Sequence, residues 1–417
     1  MKIHIDSTNW KCPQNLIICS RLHRFVLANG HDISHDPKTS DYIILSSCGG
    51  VNSDINKTLN ILQCYTDIKD SHTVIILFGC LPGIDHEAIR NLDAVSIGFS
   101  EIQKLDTLFY QNVHFGDIDR YCEDSYKKKI IDSSRTFDEN QTESLKIKVS
   151  YFHPFFFSIP LIVLSSKAKQ RYHQIHDRFV LNDFVEIIKG CTGNCNYCSI
   201  KKAKGNLESR NIPDIINDIK RVYSPSKTLS LVADDSGCYG VDRKLTIIHL
   251  LDAIHEKFPE VRLRLNYLDP MYLTKYRQDF LRVFQTMHIA SLTLPLQTGS
   301  QKILAKMNRH YDIGEALAIC TKIKEISPST IIVAHFIIGH PGETWRDYWR
   351  SLAASRFFDN PIPLAYSRNK NTVSATMADQ ISKHIRSLRY VIFILFLNVV
   401  VLFRIVDTIK QKVTPSQ

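Results

Sequence analysis

The sequence predicts an α/β protein with two parallel-sheet units in tandem, and three observations carry that reading. Short apolar, β-branched runs alternate with helical stretches in residues 1–100, and the alternation returns from residue 184. Cysteines and acidic residues gather just past the ends of the apolar runs. A parallel neighbour is reached only through a crossover of a dozen or more residues, so strand–helix alternation calls for parallel sheets. Ligands of such sheets collect at the carboxyl ends of the strands.

In the first unit, over 1–100, KIHID (2–6) reads as a strand, followed by a helix from about Asn15 to Asn29 that stops at Gly30. YIILSSC (42–48) and VIILFGC (74–80) read as strands, each ending in a cysteine. Residues 101–182 read as an irregular linker. KKK (127–129) and SSRTFDENQTES (133–144) are polar, and YFHPFFFSIPLIVL (151–164) is apolar but interrupted by Pro154 and Pro160. That last run is too short to span a bilayer and receives no role. In the second unit, over 183–380, strands are expected at FVEIIKGC (184–191), LSLVADD (229–235), VRLRLNYL (261–268), IASLTLPL (289–296) and TIIVAHFII (330–338). Helices such as 212–223 and 300–308 fall between them. Repeats of this kind build a parallel sheet, open or closed into a barrel.

Composition narrows the class. The chain has 417 residues, 44% of them hydrophobic, and a formal net charge of +10, which favours an anionic partner. Its 11 cysteines follow a start in which polar residues interrupt every apolar run, so no secretory signal is expected. A chain this long needs no disulfide scaffold, and cytoplasmic thiols, some of them metal ligands, are the better reading.

The strongest local signal is Cys191-Thr-Gly-Asn-Cys195-Asn-Tyr-Cys198, three thiols within eight residues just after a strand. Structural zinc takes four protein ligands, whereas three cysteines can hold three irons of a 4Fe–4S cluster and leave the fourth open. A zinc knuckle completed by a distant Cys or His is the alternative.

The surroundings of this loop resemble the radical S-adenosylmethionine (SAM) enzymes, and among them the methylthiotransferases. GCTGNCNYCSIKKAKGNLESR (190–210) is similar to the family's cluster loop, with Lys204-Gly205 where Arg-Gly is usual. DDSGCYGVD (234–242), LPLQTGSQKILAKMNR (294–309) and IIGHPGET (337–344) resemble three further family blocks, and the likeness runs from about residue 1 to about 380. It implies a partial radical SAM β/α barrel and an N-terminal methylthiotransferase domain.

It also implies two 4Fe–4S clusters. The first, on Cys191, Cys195 and Cys198, binds SAM and on reduction yields a 5′-deoxyadenosyl radical. The second, on Cys12 of CPQN, Cys48 and Cys80, carries the sulfur to be methylated. Ser209, Arg210, Asp234, Asp235 and Gln297 are the implied contacts to SAM or substrate, and Gly339, Pro341, Gly342 and Glu343 form a tight turn. Cys19, Cys64, Cys122, Cys238 and Cys320 are read as structural.

The implied activity is methylthio insertion at a C–H bond, foremost of a modified adenosine-37 in tRNA, of the N6-threonylcarbamoyl or N6-isopentenyl type. An aspartate of a ribosomal protein, a peptide, or a non-catalytic iron–sulfur role are the alternatives. A reducing electron donor, a monomeric state and a cytoplasmic location are implied with it. Three departures stand out: Ala334-His335 and His340 replace an acidic pair and a Phe, and YSRNKNTVSA (366–375) lacks the family's glycine and prolines. No counterpart of the family's RNA-gripping TRAM domain follows, but a hydrophobic segment at 381–417 with six Lys or Arg and one Asp, half the net charge. Its apolar part, 390–403, is read as a buried helix, as an interfacial or membrane-anchoring helix with snorkelling cations, or as an aberrant terminus.

Overall fold

The structure is a computed structural model; it describes residues 1–10, 12–123, 125–126 and 183–413, with backbone alone over 401–413. Two parallel sheets account for most of it. The first has the order β2-β1-β3-β4-β5, with β1 Lys2–Ser7, β2 Asp32–Ile33, β3 Tyr42–Ser47, β4 Val74–Gly79 and β5 Val95–Gly98. Every pairing in it is parallel. The helix Pro13–Ala28 starts with proline at its first turn, where a missing N–H costs nothing. It buries Leu16, Ile17, Leu22 and Phe25 against Ile44 and Ile76, while Ile43, Leu45, Ile75 and Leu77 point the other way, onto Ile55, Leu62 and Tyr65 of the helix Asn52–Ile68. With both faces covered, the strands read as unbroken apolar runs.

The second sheet has the order β14-β13-β12-β11-β10-β7-β6. Its strands are β6 Tyr121–Cys122, β7 Asp183–Glu186, β10 Thr228–Val232, β11 Arg262–Leu265, β12 His288–Gln297, β13 Ile331–Ile338 and β14 Asn360–Ala365, and a short ribbon pairs β8 Ile188–Lys189 with β9 Glu208–Ser209. From β7 to β14 each pairing is parallel and follows chain order, the arrangement of a β/α barrel left open, while β6 adds antiparallel to β7. Leu231, Leu265, Leu294 and Phe336 bury under the outer helices. Ser230, Arg264, Ser291, Thr293 and His335, one step out of phase on the same strands, face the other way and make the interior polar.

Three expectations change. Residues 101–123 are not linker: a helix forms at Gln103–Phe109, Phe115 is buried in the first core, and β6 joins the second sheet. The runs at 127–144 and 151–164 lie outside the described residues. β14 is an additional strand, and its two prolines are tolerated because it lies at the sheet edge. Finally, Lys383–Val413 forms one 31-residue helix, and no helix among the described residues is long and apolar enough to cross a membrane. Arg389 does not snorkel. It is buried, 2.7 Å from Glu343 Oε2, and Phe393 beneath it packs on Phe336 with ring centroids 5.6 Å apart.

Candidate active site

All three thiols of the loop stand beyond the carboxyl end of β7, and the loop is pinned at several points. Gly190 enters it at φ +74°, and a Cβ there would come 2.5 Å from the Asn206 carbonyl oxygen, so only glycine fits. Its N–H donates to Asp234 Oδ2 at 2.9 Å. The Sγ atoms of Cys191 and Cys195 lie on the Gly193 side, 3.6 and 3.8 Å from where a Cβ on that residue would be. Asn196 donates from its backbone to the Met307 carbonyl, and its side-chain oxygen lies 3.1 Å from His340 Nε2. The turn bearing His340 closes on itself, with Glu343 Oε2 accepting from the Gly339 N–H at 3.0 Å.

Charge around the loop comes from Arg309 and Asp235, in the blocks at 294–309 and 234–242, and from Asp269, which lies outside them. Arg309, buried, reaches Asp269 at 3.0 Å, the Pro295 carbonyl at 3.0 Å, the Tyr197 hydroxyl at 3.3 Å and Cys195 Sγ at 3.9 Å. Asp235 Oδ1 accepts from the N–H groups of Gly237 and Asp269, each at 3.0 Å. Burial, then the neighbouring Asp269 carboxylate, pushes Asp235 up to about 7. Asp269 follows β11 and Arg309 follows the helix Gln301–Lys306, and sequence alone does not say that these two ends converge.

The other expected contacts divide. Gln297 ends β12 in the left-handed region at φ +68°, and its buried Oε1 has no hydrogen-bond partner, an acceptor left over for a ligand. Ser209 and Arg210 are committed elsewhere: Ser209 Oγ accepts from the Gly240 N–H, and Arg210 holds Asp218 at 2.8 Å and the Glu186 carbonyl at 2.7 Å. Asp234 faces the loop with one oxygen and Lys204 with the other. Cys238 is buried, and its thiol donates to the Asp235 carbonyl at 3.0 Å.

The N-terminal thiols share the other side of this seam. Cys12 precedes the first helix, Cys48 follows β3 and Cys80 follows β4, three neighbouring carboxyl ends of one sheet. Asn9 Nδ2 donates to Cys48 Sγ at 3.6 Å, and the thiol lies 3.3 Å from Asp54 Oδ2. The short helix Cys80–Ile84 presses against Ile200–Lys204: a Cβ on Gly83 would stand 2.8 Å from Ala203 Cα.

Burial pushes the Cys48 and Cys191 thiols up to about 12 and also raises Cys12, Cys80 and Cys198. Loading either set with metal therefore releases protons. Among the described residues no three His, Cys, Asp or Glu side chains converge on a single ion. Each thiol set supplies three soft donors, the number that a 4Fe–4S cluster with one open iron takes and one fewer than structural zinc takes.

Comparison with known proteins follows the same division. A model described as the Radical SAM superfamily matches residues 185–354, and one described as Uncharacterized protein family UPF0004 matches 3–99. The chain is 25% identical over 403 residues to the ribosomal protein uS12 methylthiotransferase RimO of Bdellovibrio bacteriovorus, covering 93% of this chain and 79% of that protein. It is 24% identical to a probable threonylcarbamoyladenosine tRNA methylthiotransferase of Pyrococcus abyssi, covering 90% and 79%. Over 212 residues it is 31% identical to the tRNA-2-methylthio-N(6)-dimethylallyladenosine synthase of Clostridium botulinum (strain Okra / Type B1), covering 50% and 47%. The apo, selenomethionine-labelled structure of the cobalamin-dependent SAM radical enzyme OxsB aligns with a TM-score of 0.50 at 8% identity, over 90% of this chain and 54% of that one, a likeness of fold alone.

Proposed function

We propose that this chain, which belongs to the radical SAM methylthiotransferase family, inserts a methylthio group at a C–H bond of a modified adenosine in tRNA. One observation carries the choice of tRNA. The helix Trp345–Ser355 starts directly after the Gly339–Glu343 turn at the site and exposes Trp345, Arg346, Trp349 and Arg350 on one face. Tryptophans alternating with arginines offer stacking platforms for unpaired bases and contacts for phosphate. Asp347, on the same helix, is buried and accepts from Ser300 Oγ at 2.6 Å; it lies 3.9 Å from Arg350 and 3.6 Å from Lys302, so the outward face presents Arg346 unpaired by it. The polar barrel interior of Ser230, Ser291, Thr293 and His335 suits a hydrogen-bonding base.

In this reading Cys191, Cys195 and Cys198 hold a 4Fe–4S cluster at which SAM binds, and Cys12, Cys48 and Cys80 hold a second. When bound, cluster and SAM supply a carbon-centred radical able to take hydrogen from an unactivated C–H bond. The chain's own residues position and shield. Gln297 offers its spare acceptor into the barrel mouth, Arg309 sets a positive charge beside Cys195, and the first domain covers the β7–β10 side, where Phe184 and Val232 join its core. A ribosomal-protein substrate is the second reading, supported by the RimO relative, which the chain matches over 93% of its length, nearly the same share as the threonylcarbamoyladenosine tRNA relative at 90%.

Mass spectrometry of tRNA nucleosides from cells with and without the gene tests the choice. Loss of a methylthio-adenosine is expected. Intact tRNA with loss of a methylthio-aspartate from a ribosomal protein would overturn the tRNA reading. Trp349→Ala with Arg350→Glu should weaken tRNA binding at least tenfold, and unchanged binding would remove this helix from the argument.

A further inference from the structure

The two sets of thiols meet at one buried ion pair. Lys204, 6% exposed, ends the helix that follows Cys198, and its Nζ lies 2.7 Å from Asp234 Oδ1. The same ammonium donates to Gln14 Oε1, two residues past Cys12, and stands 5.7 Å from the centroid of the Phe99 ring. The second oxygen of Asp234 takes the N–H of Gly190, the neighbour of Cys191. One lysine–aspartate pair thus spans from the backbone beside one thiol set to the side chain beside the other. The contact between Gly83 and Ala203 brings Cys80's helix to the same place. Burial alone would discharge a lysine, but the Asp234 carboxylate at 2.7 Å holds this one as ammonium.

We propose that Lys204 is a positioning residue that also acts electrostatically. It locks the N-terminal cysteine site against the Cys191–Cys198 loop and supplies the fixed positive charge that faces a cluster on Cys12, Cys48 and Cys80. The proposal rests on the two-cluster reading above. A cluster bound by three thiolates becomes more negative on reduction, so a buried cation beside it favours the reduced form and raises its potential. Asp234 stands on the far side of that cation and acts in the opposite sense. An ordinary ion pair across a seam would contribute packing and stability, with no preference between oxidation states.

The two roles separate in the full chain carrying Cys191→Ala, Cys195→Ala and Cys198→Ala, reconstituted anaerobically with iron and sulfide. The remaining cluster is followed by iron content and by an EPR-monitored redox titration. About four irons per chain are expected. Lys204→Met should shift the midpoint potential to more negative values, and Asp234→Asn to less negative ones, although both break the same pair. Lys204→Arg should restore the parent potential. Opposite signs establish the electrostatic role; equal loss of thermal stability with no shift, or shifts of one sign, overturns it. Should Lys204→Met fail to fold, Asp234→Asn and Lys204→Arg still decide the sign. No iron in the parent background removes the second cluster, and this proposal with it, whereas four irons and unmoved potentials remove this proposal alone.

Discussion

Asn29 concentrates more hydrogen bonding than any residue flagged by motif. Fully buried at the end of the first helix, its Oδ1 accepts from the N–H groups of Gln111, Asn112 and Val113 at 2.8, 2.7 and 3.1 Å, and its Nδ2 donates to the Phe25 and Val113 carbonyls. Asn29→Ala strands three donors, each costing about 1–3 kcal/mol when buried. A loss of about 3 kcal/mol or more in denaturant unfolding is expected; less than 1 would mean the loop at 110–113 re-pairs. His335 gives a pH-dependent counterpart. Burial lowers it to about 4 from 6.5, so the folded state prefers the neutral ring. Its contribution is complete above pH 6.5 and is lost as pH falls toward 4, by about 3 kcal/mol at most. His335→Gln should therefore lose less stability than the parent between pH 6.5 and 4, with His340, also lowered to about 4, unchanged in both. At this scale the sequence announced the cysteines, because three thiols in eight residues are rare by chance, while Gln297 and Asp235 came only from the family resemblance of the blocks around them. Lys204 and Arg309 fell inside the quoted blocks at 190–210 and 294–309, but a buried cation is written in the same letters as a surface one, and Asp269 lay outside every block. Ser209 and Arg210 carried the motif, but the structure gives their side chains to Gly240 and Asp218.

Elements were legible where burial on both faces leaves an unbroken apolar run, as in Ile43–Leu45 or Ile75–Phe78, and illegible where a neighbour decides the conformation. β14 carries two prolines and exists because β13 offers it a parallel edge. β6 is two residues long, within a stretch read as linker, and is set by β7. The last helix was ambiguous for the same reason, since its apolar stretch fits a protein core as well as a bilayer. What decides is Arg389. Beyond Glu343, it lies 4.7 Å from the Trp345 ring centroid, and its carbonyl accepts from the Tyr348 hydroxyl at 2.7 Å. Removing one partner of a buried pair costs about 3–5 kcal/mol, because the other charge is left unpaired. Arg389→Met should cost that much, and Glu343→Gln added to it should recover a large share. Additive losses in the double variant would show that the two residues act independently.

At the scale of the molecule, the strands fall into two sheets, with β6 at 121–122 joining the second, but the cores do not follow that division. The core around the first sheet's helix includes Phe184 of β7, Val232 of β10 and Ala203 of the cluster loop's helix alongside Ile3, Ile44, Ile76 and Cys80. Arg24, on the first helix, donates to the Asp119 and Tyr121 carbonyls leading into the second sheet. At the far rim, Asn52 donates to the Arg368 carbonyl, and Lys370 reaches Asp85 at 3.1 Å. A sequence read strand by strand cannot reveal this, because an apolar side chain does not record which of two neighbouring cores will bury it. The consequence is thermodynamic. Domains that share a core cannot unfold separately without exposing apolar surface on the partner, at roughly 25 cal/mol per Å². Calorimetry of the chain should therefore show one transition covering both sheets, with the calorimetric enthalpy equal to the van't Hoff value. Val232→Ala, in the second sheet, removes about two methylenes from the shared core, which at typical large-to-small costs is about 1–3 kcal/mol. It should lower the midpoint of that single transition, and hydrogen exchange should quicken in β1, β3 and β4 as well as in β10. Two separated transitions, or faster exchange confined to β10, would mean that the shared core does not couple the domains, and the cysteine sites at their seam would then be free to part.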